Sequence, residues 1–352
     1  MRFEDFWYVV AQSEHLKPHQ VLRRQVLGEW LAIFRDRSGH PTALQDRCIH
    51  RNGRLSDGKI HHKTHSETHP GCLSCPYHGW VYDSKGKVVT IPSEGPQFKP
   101  RQNLRTKSYP TREQEGFIYV FLAETTNPEL NPEFAPFAMP YYQQPGWHQV
   151  RLIHRFANNV TNCAENFIDI PHTVSVHPGI FRQPQRQKLE MTVTRAQGTV
   201  EATYRKETSN LGWWSQFLNP NQTEIYHCDR FFMPNITSVE YRFGPDRHLF
   251  ITSQSVPETE RSTLVYTDVT FNYGLWSHLA KPLVWWTAKR IIAEDLKILE
   301  VQQDVIDHYG QRFNHSPADT IHVFVESIRG AIAAGQDPRL LPEKSVDVTF
   351  WV

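Results

Sequence analysis

The chain has 352 residues, with 38 Lys and Arg against 37 Asp and Glu, for a formal net charge of +1. With 39% apolar and 12% aromatic residues it can bury a sizeable core, which excludes general disorder. So even a charge gives no electrostatic case for nucleic acid, and no apolar run approaches the roughly 18 residues of a membrane-spanning helix.

The length suggests about two domains. The opening Met1-Arg2-Phe3-Glu4-Asp5 carries two acids and no signal-peptide core, so a cytoplasmic protein is expected. Five Cys is an odd number and too few for a disulfide framework. His, at 19, outnumbers Gly, at 18, and His is the commonest metal ligand.

In chain order, Phe6 to Val10 and Trp30 to Phe34 read as aromatic and β-branched strands, with a turn at Arg37-Ser38-Gly39-His40. Residues 48–80 are crowded with Cys, His and Gly. Trp80 to Ile91 then reads as a hairpin, and Phe117 to Leu122 as a buried strand. The Pro- and Asn-containing stretch from Thr125 to Pro140 places a domain boundary near residue 128. Strands are expected at 191–205, 237–243, 248–255 and 263–271. Helices are expected from Leu283 to His308 and from Thr320 to Ala334. Strands first and helices last give an α+β domain over 129–352, an antiparallel sheet flanked by helices, behind an all-β domain over 1–128.

Cys48-Ile49-His50-Arg51 and Cys75-Pro76-Tyr77-His78-Gly79-Trp80 form two short clusters of metal-ligand residues. Two arrangements fit. Two Cys can hold one iron of a [2Fe–2S] cluster while two His hold the other. A tetrahedral zinc can instead take two Cys and two His. Two unrelated buried Cys beside surface His is the plain reading. It carries little weight against four ligand-type residues at these spacings.

These runs resemble the oxygenase (α) subunit of the Rieske non-haem iron oxygenases. The Pro76-Tyr77-His78-Gly79-Trp80 context carries most of the resemblance, and Phe6 to Ala11 resembles the family's opening strand. One departure is a longer gap between the clusters, which implies an insertion within 58–72. It holds His61, His62, His65, His69 and Cys72, and creates a rival pair, Cys72 with Cys75. Cys75 with His78 is preferred because the Pro-Tyr-His-Gly-Trp run follows Cys75 directly. The extra His read as a solvated loop.

A second constellation is Asn166, Asp169, His172 and His177. His172 and His177 would point about 140° apart on one continuous helix, so they can share a metal only if the helix breaks. Pro171 and Pro178-Gly179 supply the break. Each His alone would be read as core or surface. A third ligand can be argued independently. On the helix 283–308, Asp295 has Ile291, Ile292, Ile298 and Leu299 at three and four residues, so it projects from the apolar stripe. A carboxylate there is costly unless paired or metal-bound. Glu294, near Arg290 and Lys297, reads as an ordinary solvated face, as does Asp304. Two His and one carboxylate form the facial triad of non-haem Fe(II) oxygenases.

The same segments resemble that family's mononuclear-iron motif and distal carboxylate segment. The resemblance implies a [2Fe–2S] cluster on Cys48, His50, Cys75 and His78, and Fe(II) on His172, His177 and Asp295. It also implies that Asp169 bridges His172 to His78 of a neighbouring subunit, in a homotrimeric ring. O2 and a small organic substrate would react to give hydroxylation or oxidative demethylation. Electrons would come from a reductase or ferredoxin on a separate chain, since no G-x-G-x-x-G dinucleotide fingerprint occurs here. Trp213, Trp214, Phe217, Phe231 and Phe232 are read equally as pocket lining or core. The rival functions are a zinc-containing scaffold without redox activity and a plain electron carrier. The latter has no use for the residues after the cluster domain.

Overall fold

The computed structural model describes residues 1–61, 69–123, 135–180, 187–205, 207, 219, 224–244 and 247–352. The chain divides into two units, Glu4–Ala138 and Met139–Val352, the latter joined by Met1–Phe3. The boundary expected near residue 128 lies outside the described residues, as do His62 and His65 of the insertion and Trp213, Trp214 and Phe217.

In the first unit all described strands pair antiparallel. The strands are β1 (Trp7–Gln12), β2 (Leu22–Val26), β3 (Glu29–Arg35), β4 (Pro41–Gln45), β5 (Lys59–Ile60) and β6 (Leu73–Ser74). They continue with β7 (Val81–Tyr82), β8 (Val88–Thr90), β9 (Ser108–Tyr109), β10 (Thr111–Gln114) and β11 (Phe117–Phe121). Three sheets form, in the orders β1-β11-β10, β2-β3-β4-β9 and β5-β6-β7-β8. The expected strands and hairpin are present because aromatic and β-branched side chains fit pleated, half-buried surfaces. The β7–β8 turn closes on Gly86 at φ +75°, where an added Cβ would stand 2.3 Å from the Thr106 carbonyl oxygen. The insertion springs from β5 and β6. Its stem is extended by the Cys72 carbonyl accepting from His61 N–H and the His61 carbonyl accepting from Gly71 N–H, both at 2.9 Å.

The second unit is built on one eight-stranded antiparallel sheet. Its strands are β12 (His148–Phe156), β13 (Lys188–Ala196), β14 (Thr199–Arg205), β15 (Ile225–Phe232), β16 (Ile236–Phe243), β17 (Arg247–Thr259), β18 (Ser262–Asn272) and β19 (Lys344–Trp351). The order is β12-β18-β17-β16-β15-β14-β13-β19, so the last strand closes the edge opposite β12. The helices are α1 (Val160–Asn166), α2 (His172–Val176), α3 (Ser277–Tyr309) and α4 (Thr320–Ala333). Strands β12, β15 and β19 escape the sequence reading. In β15 the buried set includes His227 and Asp229, which hides the apolar alternation.

Helix α3 starts at Ser277 rather than Leu283. Pro282 lies near its beginning, where a missing N–H costs one backbone bond without ending the helix. Its inner stripe, Ala280, Val284, Ile292 and Leu299, packs with Val150, Leu152, Val265, Val269 and Phe271 of the sheet. Helix α4 buries Ile321, Phe324, Val325, Ile328 and Ile332. Earlier in the chain, Asn158 ties the segment before α1 to α3. Its buried side-chain amide donates to the Leu299 carbonyl at 2.7 Å and to Gln302 Oε1 at 2.9 Å. That bond fixes the turn of α3 that follows Asp295.

Candidate active site

The cysteine–histidine clusters sit on two loops with one hydrogen-bond pattern. Cys48 N–H donates to the Gly53 carbonyl and Asn52 N–H to the Cys48 carbonyl. In the second loop Cys75 N–H donates to Trp80 and Gly79 N–H to Cys75. The fifth residue of each loop is left-handed, Asn52 at φ +57° and Gly79 at φ +72°. Asn and Gly are the residues that tolerate this. The loops meet closely: a Cβ at Gly53 would stand 2.9 Å from Cys75 Sγ and 3.8 Å from Cys48 Cβ.

Cys48 and Cys75 are buried in the core of the unit, whereas His78 is exposed and His50 half-exposed. The imidazoles lie with centroids 4.5 Å apart, and His50 stacks on Trp80 at 4.7 Å. Cys48 Sγ is 3.1 Å from the Tyr82 hydroxyl. Burial pushes the Cys75 thiol up, while backbone N–H groups of Tyr77 and His78 act the other way by favouring the thiolate. Nδ1 of His50 is buried without a hydrogen-bond partner. Two core thiols, donors aimed at sulfur and an imidazole nitrogen left over fit an iron–sulfur cluster buried on its cysteine side. Cys72 is elsewhere, on the β5–β6 stem, where burial pushes its thiol up to about 11.

The second constellation converges on a point between α2 and α3. His172 opens the five-residue α2, and His177 follows it with φ −117° and ψ 56°, outside helical geometry. The helix therefore ends at His177 itself, just before Pro178-Gly179, so the two His do not share one continuous helix. Asp295, 4% exposed, faces them from α3. Its Oδ1 lies 3.0 Å from His177 Nε2 and 3.6 Å from His172 Nε2. Among the described residues, these three form the group whose ligand atoms all lie within 4.8 Å of one another. Asp295 Oδ1 is buried and takes part in no aligned hydrogen bond. A buried carboxylate oxygen facing two imidazole nitrogens fits a divalent cation. Burial disfavours the His177 imidazolium, but Asp295 and Glu294 outweigh it and raise its pKa. A cation between the same groups would replace that proton.

Both imidazoles have a carboxylate behind them. Asp169 Oδ2 stands 3.2 Å from His172 Nδ1, not aligned as a hydrogen bond, and accepts from the His172 backbone N–H at 3.3 Å. Glu294 Oε2 stands 2.7 Å from His177 Nδ1, and its other oxygen accepts from Arg290 at 3.1 Å. The reading of Glu294 as an ordinary solvated face is thereby overturned. Its Arg290 partner is where the helix spacing put it, but the strand of chain that brings His177 alongside was invisible in that spacing. Asp304 is exposed, as expected. Ile298, expected in the buried stripe, is 44% exposed. It lines an open depression together with Asp169, Val301, Val305 and Phe313.

A cavity of about 100 Å³ lies against the triad, lined by His172, His177, Asp295, Ile291 and Ile292 on one side and by His227, Asp229, Thr237, Ser253 and Thr267 of the sheet on the other. A more apolar one of about 130 Å³ shares Tyr241, Ile251, Thr267, Ile291 and Ile292 with it. Phe231 is fully buried in the core and lines neither.

The chain matches the Rieske [2Fe-2S] domain over residues 6–110 and the vanillate O-demethylase oxygenase C-terminal domain over residues 156–328. The chain belongs to the Rieske non-haem iron oxygenases. Among oxygenases of this kind, the 4beta-methylsterol monooxygenase of Methylococcus capsulatus is 25% identical, over 87% of this chain and 82% of that protein. The cholesterol 7-desaturase nvd 1 of Ciona intestinalis is 32% identical over 50% of this chain, which spans only 35% of that longer protein. In fold, the oxygenase is similar to dicamba monooxygenase bound to 3,6-dichlorosalicylic acid, with TM-score 0.78 and 23% identity over 94% of this chain and 98% of that one. Family membership brings the Rieske cluster, a mononuclear iron and a separate electron donor. Among the described residues, no helix of this oxygenase is long and apolar enough to cross a membrane.

Proposed function

We propose that this chain is an oxygenase component that hydroxylates or oxidatively demethylates a small organic substrate. In this reading Cys48, His50, Cys75 and His78 hold the cluster, and His172, His177 and Asp295 hold Fe(II). When bound, the cluster supplies single electrons from a reductase or ferredoxin, and the ferrous iron supplies O2 activation. The observation that carries the reading is the convergence of His172, His177 and Asp295 beside an apolar cavity. A zinc scaffold leaves that convergence without a purpose.

The chain's own residues have separate tasks. Glu294 orients the imidazole of His177 and holds a proton on its Nδ1, which keeps Nε2 free to ligate, while Asp169 stands behind His172 and accepts from its backbone N–H. Ile291 and Ile292 exclude water from the triad's substrate side. Asp169 also faces the depression rimmed by exposed Ile298, Val301, Val305 and Phe313. His78 and the 64%-exposed Tyr77 lie exposed on the second cluster loop. These features support a homotrimer in which His78 of one copy docks near Asp169 of the next. A cytoplasmic location belongs to the same reading, supported by five unpaired cysteines. Purified protein should be brown, with cluster iron and sulfide plus one further iron per chain. Stoichiometric zinc in a colourless protein would overturn the reading.

A further inference from the structure

The sheet wall of the triad's cavity carries an ionic cluster that the oxygenase chemistry does not require. On β15, His227 and Asp229 are two residues apart and so share a face. Both are 1% exposed and both line the cavity. His227 Nδ1 lies 2.7 Å from Glu207 Oε2, and its Nε2 lies 3.0 Å from Asp229 Oδ1. With a carboxylate oxygen at each ring nitrogen, both nitrogens donate, and the ring is an imidazolium. It is stacked between Tyr204 and Tyr241, at 4.5 and 4.0 Å, whose faces favour a cation. Burial works against that charge, but Asp229 and Glu207 outweigh it and push His227 up to about 9.

One imidazolium between two carboxylates leaves one negative charge over, and Asp229 is the member of the carboxylate pair that faces the cavity. Asp229 Oδ2 also accepts from the Tyr204 hydroxyl at 2.9 Å. Each carboxylate oxygen has two lone pairs, so Asp229 retains room for another donor. Beside it stand the hydroxyls of Thr237, Ser253 and Thr267. Beyond it the adjoining cavity is walled by Phe243, Leu249, Val269 and Val284. Among the described residues, no Lys or Arg lines either cavity.

We propose that this site selects an apolar molecule carrying a hydrogen-bond donor, a hydroxyl or a protonated amine, which Asp229 anchors, and that it rejects carboxylates and sulfonates. The proposal rests on the oxygenase reading only in taking the cavity beside the triad as the substrate site. A donor group completes the acceptor capacity of Asp229. An anion anchored at Asp229 would be brought, in low dielectric, against a charge of its own sign, while the iron's charge at the triad is partly neutralised by Asp295. The apolar body fills the recess between α3 and the sheet.

The test is calorimetric binding of three matched probes to the full chain: 4-tert-butylbenzyl alcohol, 4-tert-butylbenzylamine and 4-tert-butylbenzoate. The alcohol and amine should bind about tenfold or more tighter than the benzoate, the range expected of a hydrogen bond to a charged group. In Asp229→Asn the gap should close, with the amine losing most and the benzoate gaining. Benzoate binding as tight as the alcohol, no measurable binding of either donor probe, or an unchanged ranking in Asp229→Asn overturns the proposal. The wild-type ranking needs no variant, so a misfolded Asp229→Asn leaves the test intact. Calorimetry requires neither O2 nor reductant. A protein that ranks the probes as expected yet never turns over would sink the oxygenase reading and not this one.

Discussion

The two candidate metal sites differ in how their residues are brought together. Cys48, His50, Cys75 and His78 come from two short loops closed by the same pair of backbone hydrogen bonds. Each loop is complete in itself, so the spacing within it is the geometry. His172 opens the short helix α2 and His177 follows its end, while Asp295 comes from a long helix far along the chain. No local pattern holds that triad. It is held by packing of α3 on the sheet, by Asn158 on Leu299 and by carboxylates behind each imidazole. A site made of self-contained loops should fail all at once when one ligand goes, whereas a site assembled by packing should also weaken by degrees.

The largest effect expected is at the loops. Cys75→Ser or His78→Ala should abolish the cluster absorption, while Cys72→Ser, on the stem, leaves it intact. Loss of colour only in the Cys72 variant would show that the loops pair differently. Next comes Asp295→Ala, which removes the one anionic ligand of the triad. The mononuclear iron should be lost on metal analysis with the cluster spectrum unchanged. Retention of that iron in Asp295→Ala, with loss in Asp304→Ala, would move the third ligand elsewhere on α3.

Asp169 and Glu294 sharpen the comparison further, since each stands behind one imidazole. Glu294→Ala should weaken iron binding about 10- to 100-fold, the usual cost of removing a carboxylate behind a metal-bound His. Asp169→Asn should keep both metals and lose turnover by a similar about 10- to 100-fold. Its single-turnover reduction of the mononuclear centre should slow as well. A wild-type reduction rate there would remove the bridging role, and a Glu294→Ala protein with unchanged iron affinity would return that residue to the solvated face.

The smallest effect is in stability. His227 titrates near the ordinary value of about 6.5 when unfolded and is raised to about 9 in the fold. Its contribution is therefore fully present below about 6.5 and is lost as pH rises through about 9. The unfolding midpoint should fall across that window in wild type and fall less in His227→Gln. Equal slopes in the two proteins would mean that His227 is neutral in the fold.

Sequence by itself determined the features that depend on near neighbours. Each cluster loop, the prolines that flank His172 and His177, and the apolar stripe around Asp295 are each written in a few neighbouring residues. Tertiary structure alone decided the features that depend on who lies opposite. Glu294 has ordinary helix neighbours, yet the fold sets His177 at 2.7 Å from it. Ile298 fits the apolar stripe by spacing, yet it is 44% exposed and opens onto the depression beside Asp169. His227, Asp229 and Glu207 look like scattered polar residues until β15 turns two of them inward against the third. Helix and strand periodicity say which side of an element a residue occupies. The partner waiting on that side is set by long-range packing, which no window of sequence contains.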